Sequence, residues 1–342
     1  MRWFFRRLAA ALGTSWAIAS LVFLFTRFTL SGPDQEFSRA DNMGGGGAAS
    51  VEQAERGRQA LRERLGLDVP LFYVSQGPTG WQWTGTRNQY HRWASGVLHG
   101  DLGTSYRDGQ PVTTSLFQAL CFTIPLVSAA ILGAVGGAVG LGLYLTSGPK
   151  SRARAIIRAG LGVVHIVPPF LLALALLLLL ANPDMLNIVP VDMGDGPPTG
   201  LASVGYWASR GLLPVLVLVL STLAELTLPL EAGLRHELQL PYARTAFAKG
   251  LSTSQVLRRH ALLNALLPLI TSIAGLLPAL VSGAVVVEVI YALPGSGRLL
   301  AEAAAAHDFP VLAGGVLLLA VAKQGSQLLA DGVQRTLDPR MK

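Results

Sequence analysis

Charge is what this sequence has least of. Asp, Glu, Lys and Arg make up 14% of its 342 residues against 51% hydrophobic side chains, and the mean hydropathy is +0.46. A water-soluble chain of this length needs a more polar surface, so a soluble enzyme is excluded. Cysteine is nearly absent as well: Cys121 stands alone inside an apolar run, and no intrachain disulfide can brace the extracytoplasmic parts. No G-x-x-x-x-G-K-[ST] loop occurs, since Gly295, Ser296 and Gly297 run into Arg298 without that spacing, which excludes nucleotide binding by a P-loop. The histidines (His91, His99, His165, His236, His260 and His307) show no H-x-x-x-H or H-E-x-x-H spacing, so no metal site is expected. A membrane serine hydrolase lacks its motif: Ser282 and Gly283 are preceded by Leu280 where the first glycine of G-x-S-G belongs, and no catalytic residue is assigned. The net charge of +7 is not arranged as a basic stripe with interleaved aromatics, which argues against a nucleic-acid partner.

Long apolar runs are what the chain does have. Uncharged or nearly uncharged stretches lie at 8–25, 116–145, 159–181, 212–230, 265–291 and 311–330, each long enough to cross a bilayer. The expected fold class is therefore all-α, a polytopic membrane protein of six transmembrane helices. The first run, preceded by Arg2, Arg6 and Arg7, is read as an uncleaved anchor rather than a signal peptide, because no clear cleavage site follows it. Basic residues cluster before span one, between spans two and three (Lys150, Arg152, Arg154, Arg158), between four and five (Arg235, Arg244, Lys249, Arg258, Arg259) and after six (Arg335, Arg340, Lys342). These fall on one side, which the positive-inside rule makes cytoplasmic. The opposite connections carry no positive excess: residues 31–115 hold eight Arg and nine Asp/Glu. Both termini are then cytoplasmic, as an even number of spans requires.

Four regions follow: 1–30, the cytoplasmic N-terminus with the first helix; 31–115, an extracytoplasmic loop with short helices; 116–334, a five-helix core; and 335–342, a cytoplasmic tail. In the loop, Gly44 to Gly47 form a flexible spacer, and Ser50 with Gln53 form a capping box by spacing for a helix to about Leu65. The turn-rich stretch 76–88 holds Trp81 and Trp83, residues that suit the headgroup region better than a ligand platform. The connection 234–264 reads as helix-turn-helix. Pro241 suits a helix start, Gly250 a C-terminal cap, and Ser252 or Thr253 the next N-cap. Small residues Ala243, Ala246 and Ala248 would let such a helix approach another protein closely; an ordinary basic loop near headgroups is the plain alternative.

Several segments carry a resemblance. YARTAFAKGL at 242–251 with RHALLNALLP at 259–268, EVIYALPGSGRLL at 288–300 with DFP at 308–310, LGLDVPL at 65–71, GDLGTS at 100–105 with GQPV at 109–112, and LDPR at 337–340 resemble the permease subunits of ATP-binding cassette importers, within their oligopeptide/dipeptide/nickel branch. With the six spans, the resemblance covers nearly the whole chain. It implies that the helix from about Tyr242 to Lys249 is a coupling helix seated on a separate ATPase subunit. Gly250 corresponds to the glycine of the permease signature, Thr245 and Ala246 to its small positions and Arg244 to its acidic one; Lys249 and Leu251 complete the set. It further implies a second homologous permease, two ATPase subunits that bind the ATP, an extracytoplasmic substrate-binding protein, a bacterial inner-membrane location and no cofactor of the chain's own. The expected cargo is oligopeptides or dipeptides, with nickel-chelate or antimicrobial-peptide uptake in the same family open. Departures from the branch stand at Pro241, Phe247 and the HIVPPF of 165–170, and about fifteen extra residues separate Leu71 from Gln89, read as a surface insertion.

Three charges lie within spans: Glu225, Glu288 and Lys323. An unpaired charge there costs roughly 2.5 to 3.5 kcal/mol, so each should face the bundle interior. Internal ion pairing and contact with substrate both remain open, with Glu288 leaning to structure because it belongs to the family-like segment. A proton-coupled secondary transporter using Glu225 or Glu288 is the rival of another class; it predicts inverted repeats, and none is visible. In span two, Gly133, Gly136, Gly137, Gly140 and Gly142 allow close helix approach, and Pro125, Pro168, Pro169 and Pro278 are expected to kink their helices.

Overall fold

The computed structural model describes residues 2–29, 69–77, 80–149, 151–181 and 201–337. The Gly44 to Gly47 spacer, the Ser50 capping box, the first part of LGLDVPL, Lys150, the side chain of Pro278 and the end of LDPR lie outside the described residues.

The described chain is almost wholly helical. In order it forms α1 (Arg2–Thr29), strands β1 (Val74–Gly77) and β2 (Gly80–Trp83), α2 (Gln89–Leu98), α3 (Val112–Thr146), α4 (Arg152–Ile166), α5 (Pro169–Leu176) running on through a π-helical turn at Leu177–Ala181, and α6 (Leu201–Glu237). Then come α7 (Pro241–Ala248), α8 (Thr253–Val256) with a π-helical turn at Leu257–Ala261, α9 (Leu262–Ile290), α10 (Ser296–Ala305) and α11 (Phe309–Leu337). Among the described residues, four helices are individually long and apolar enough to cross a membrane, at Phe5–Phe25, Val112–Thr146, Arg210–Glu237 and Phe309–Leu329. The expected span at 265–291 is the unbroken 29-residue α9.

The third span departs from expectation. Instead of one run over 159–181, α4 and α5 meet at 110°. Val167 and Pro168 are both followed by proline, which disfavours the helical region for the residue before it, and both are extended, with ψ of 122° and 140°. Pro125, Pro214 and Pro229 sit inside continuous helices. The turn-rich stretch before α2 is also partly β: β1 and β2 pair antiparallel with Val74 opposite Trp83 and Gln76 opposite Trp81, which puts both tryptophans on one face, 77% and 74% exposed.

The chain divides into two compact units, Met1–Gln118 with Leu300–Gln324, and Ala119–Leu299 with Gly325–Lys342. In the first, α2 packs on α1 through aromatic rings: Trp93 stacks on Phe23 at 4.8 Å, and the Tyr90 hydroxyl meets Trp16 Nε1 at 3.2 Å and Ser20 Oγ at 2.8 Å. In the second, α3 and α6 approach at glycines. A Cβ on Gly133 or Gly137 would stand 2.9 Å from Val219 or Leu223, and one on Gly142 3.1 Å from Leu230, so the small-residue stripe is what lets the two backbones close on each other. The core of this unit is aliphatic, built on Leu145, Leu218, Leu226, Leu230, Leu234 and Leu257.

Candidate functional site

The connection between the fourth and fifth spans folds as a compact elbow. The helix expected from about Tyr242 to Lys249 is α7, Pro241–Ala248, with Pro241 in its first turn, where the missing N–H costs nothing. Gly250 ends it at φ +85°, a conformation that glycine adopts without strain. Ser252 then opens α8 with a full capping box: its Oγ accepts from the Gln255 N–H while Gln255 Oε1 accepts from the Ser252 N–H at 2.9 Å, satisfying donors that a helix start leaves orphaned.

The small residues of α7 divide between two faces. Ala243 and Ala246 are buried against Val256, with Leu238, Tyr242 and Leu251 packed around them. Arg244, Thr245, Phe247, Ala248, Lys249 and Gly250 are exposed. Close approach through Ala243 and Ala246 is therefore made to this chain's own α8, and the face left for another protein is the one with Arg244, Thr245, Phe247 and Lys249. Tyr242 donates its hydroxyl to Glu237 Oε2 at 2.5 Å, and Asn264 Nδ2 donates to the same oxygen at 3.1 Å. One carboxylate thus ties the end of α6 to α7 and to the start of α9. Burial pushes the Tyr242 phenol above its ordinary value, and the hydrogen bond to Glu237 adds to that.

Two further carboxylates organise the second unit. Glu231, which sequence reasoning missed, is buried on α6. Arg158 of α4 grips it with two nitrogens, Nε at 3.1 Å and Nη2. Arg235 adds Nε at 3.0 Å and Nη2 at 2.7 Å. The Glu231 and Arg235 spacing of four on one helix was the available signal. Glu288, fully buried at the end of α9, accepts Thr123 Oγ1 at 2.6 Å and the N–H groups of Gly297 and Arg298 at 2.7 and 3.3 Å. Thr123 Oγ1 in turn accepts the Ser296 N–H at 2.8 Å. The first three orphan donors of α10 are satisfied by these two side chains, and the carboxylate stands at the positive end of the helix.

Glu225 is placed otherwise. It is exposed near the middle of the Arg210–Glu237 span, on a stripe with Pro229, Ala232 and His236. It faces away from its own bundle core rather than into it. Lys323 is exposed on α11.

In the first unit, the GDLGTS and DFP segments meet. Asp308 is buried and accepts Ser105 Oγ at 2.5 Å and the Tyr106 N–H at 3.1 Å, while Arg107 pairs with Glu302 at 3.1 Å. Beside them the Gln110 N–H donates to Asp108 Oδ1 at 3.0 Å and holds that carboxyl below its ordinary value.

The family described as binding-protein-dependent transport system inner membrane component matches residues 138–342, a stretch that takes in the elbow, Glu231 and the Glu288 cap. The chain belongs to that family of ATP-binding cassette importer permeases. Relatives extend the match to nearly full length. The permease is 30% identical over 299 residues to the oligopeptide transport system permease protein AppB of Bacillus subtilis, covering 85% of this chain and 86% of the relative. It is 32% identical over 311 residues to the dipeptide transport system permease protein DppB of Escherichia coli K12, covering 84% and 86%. A putative peptide transport system permease protein of Brucella abortus is 31% identical over 349 residues, covering 98% of each. The permease is a multi-pass membrane protein and a transport subunit rather than an enzyme.

Proposed function

We propose that this permease is one of two homologous membrane subunits of an importer that takes short peptides from an extracytoplasmic binding protein and releases them inward by alternating access. Two ATPase subunits supply the energy and hold the nucleotide; the chain itself carries no cofactor. The observation that carries the proposal is the elbow: α7 is rigidly seated by its buried alanines and by Glu237, yet presents Arg244, Thr245, Phe247 and Lys249 outward as a protein-facing ridge. The names of relatives matched over most of the chain support peptides as cargo. The basic residues of the elbow and of both termini support a cytoplasmic position for them.

Glu225 is assigned to the translocation pathway. A carboxylate facing lipid at mid-span is costly, so its stripe faces water and the second permease, where it suits the ammonium of a peptide's amino terminus. Glu288 is assigned a structural role, since its oxygens are occupied by helix α10 and Thr123. Lys323 belongs to the same set of intramembrane charges.

The test is uptake by proteoliposomes holding the permease together with the second permease, ATPases and binding protein that co-purify with it. ATP-dependent accumulation of labelled di- to pentapeptides is expected. Accumulation of a nickel chelate or an antimicrobial peptide in their place overturns the cargo assignment, and uptake driven by a proton gradient without the ATPases overturns the importer itself.

A further inference from the structure

We infer that Arg158, Glu231 and Arg235 form the joint that carries movement of the α7 helix into the α3 and α4 spans, with Glu231 as its positioning residue. The inference rests on the importer function proposed above. A coupling helix does work only on the spans it is firmly attached to. Glu237 attaches α7 to α6 and α9. Glu231 lies six residues earlier on α6, about 9 Å along the axis at 1.5 Å per residue, and continues the chain of attachment. Its side chain is 5% exposed; Arg158 brings α4 to it, and Arg235 Nη2 also reaches the Leu145 carbonyl near the end of α3 at 3.5 Å. One carboxylate therefore gathers three helices.

The chemistry suits transmission better than stabilisation. Leu161, Leu230 and Leu234 are buried in the adjoining aliphatic core, and apolar packing generally stabilises such a position as well as a buried ion pair does. What apolar side chains do not supply is a fixed angle. A two-pronged guanidinium–carboxylate bond sets orientation as well as distance, so a rotation of α6 is passed to α4 instead of being absorbed by sliding side chains.

The experiment measures transported peptide per ATP hydrolysed in the reconstituted complex, using whichever labelled di- to pentapeptide the unmodified complex takes up best. Glu231→Gln and Arg158→Met are expected to lower that ratio by about fivefold or more while the complex still co-purifies. The double exchange Arg158→Glu with Glu231→Arg keeps one acid, two bases and a two-pronged pair across the same gap, and is expected to restore the ratio to within about twofold. An unchanged ratio in an assembled single variant, or a double exchange that assembles and recovers nothing, overturns the joint. Should a single variant fail to assemble, Arg158→Lys replaces it: a lowered ratio supports the joint and an unchanged one overturns it. Absence of ATP-driven uptake by the unmodified complex overturns both proposals, whereas uptake with an insensitive ratio overturns the joint alone.

Discussion

The carboxylate of Glu288 occupies the space in which a side chain at Gly295 would begin. The glycine is thus needed for volume rather than for a special backbone angle, and the two residues together let α9 end in a turn that hands its acid to the start of α10. Gly297 is constrained in the same way from the other side, since a Cβ there would run into the backbone of Val285. The connection between the fifth and sixth spans is built around this one acid.

Gly295→Ala is accordingly expected to push Glu288 off the Gly297 and Arg298 N–H groups and leave buried donors unpaired, at a cost of about 1–3 kcal/mol for each. Thermal unfolding of the detergent-solubilised permease checks this. A Gly295→Ala variant as stable as the parent would show that the carboxylate has another place to go. Glu288→Gln keeps an oxygen acceptor and should cost less than Glu288→Ala.

Ser105 and Asp308 should act as a latch between the loop that follows α2 and the turn before α11. Ser105→Ala removes a hydrogen bond to a charged group, worth about 1.5–3 kcal/mol. Amide hydrogen exchange at Tyr106 to Gln110 should quicken, with exchange in α6 unaffected. Protection that stays the same over those residues would mean that the Tyr106–Asp308 bond and the Arg107–Glu302 pair hold the loop without the serine.

Ala246 and Gly250 are predicted to fail in different ways. Ala246→Leu overfills the small core with Ala243 and Val256, at about 1–3 kcal/mol, and should loosen α7 even in the isolated permease. Gly250 has open space around it but a left-handed backbone, so Gly250→Val should be severe and Gly250→Asn mild, because Asn tolerates that region. Limited proteolysis of the elbow, together with ATPase co-purification, separates these cases; equal effects of Val and Asn at position 250 would argue for contact with a partner instead of backbone strain.

The Tyr242–Glu237 bond gives a pH dependence of known sign. A phenol whose ionisation is pushed up on folding contributes stability that is complete below its unfolded value, about pH 10, and is lost as pH rises through the folded value. The extra protection of the elbow in the parent over Tyr242→Phe should therefore be constant from about pH 7 to 9 and vanish in stronger alkali. A difference that disappears near neutrality would rule out the phenol as donor.

The spans, the elbow and its punctuation were legible because they depend on local rules. Apolar length marks a membrane helix, Pro241 can open α7 but not continue one, and Gly250 and Ser252 suit positions set by backbone angle and orphan N–H groups. The Pro168–Pro169 pair also announced a disturbance in the third span, though not its size. Whether a proline kinks or breaks a helix depends on what repacks around it: Pro125, Pro214 and Pro229 are absorbed, while two successive pre-proline residues at Val167 and Pro168 are not.

Composition and the length of the apolar runs alone determined that this is a helical membrane protein, since a bilayer accepts little besides long apolar helices, and a few segments carried the resemblance to its family. Only the tertiary structure decided which charge does what. Glu225, Glu231 and Glu288 look alike in the sequence, yet one faces away from its bundle, one is held between two arginines and one caps a helix. The reason is that a carboxylate's state is set by the donors brought to it, and two of those donors, Thr123 and Arg158, arrive from distant parts of the chain.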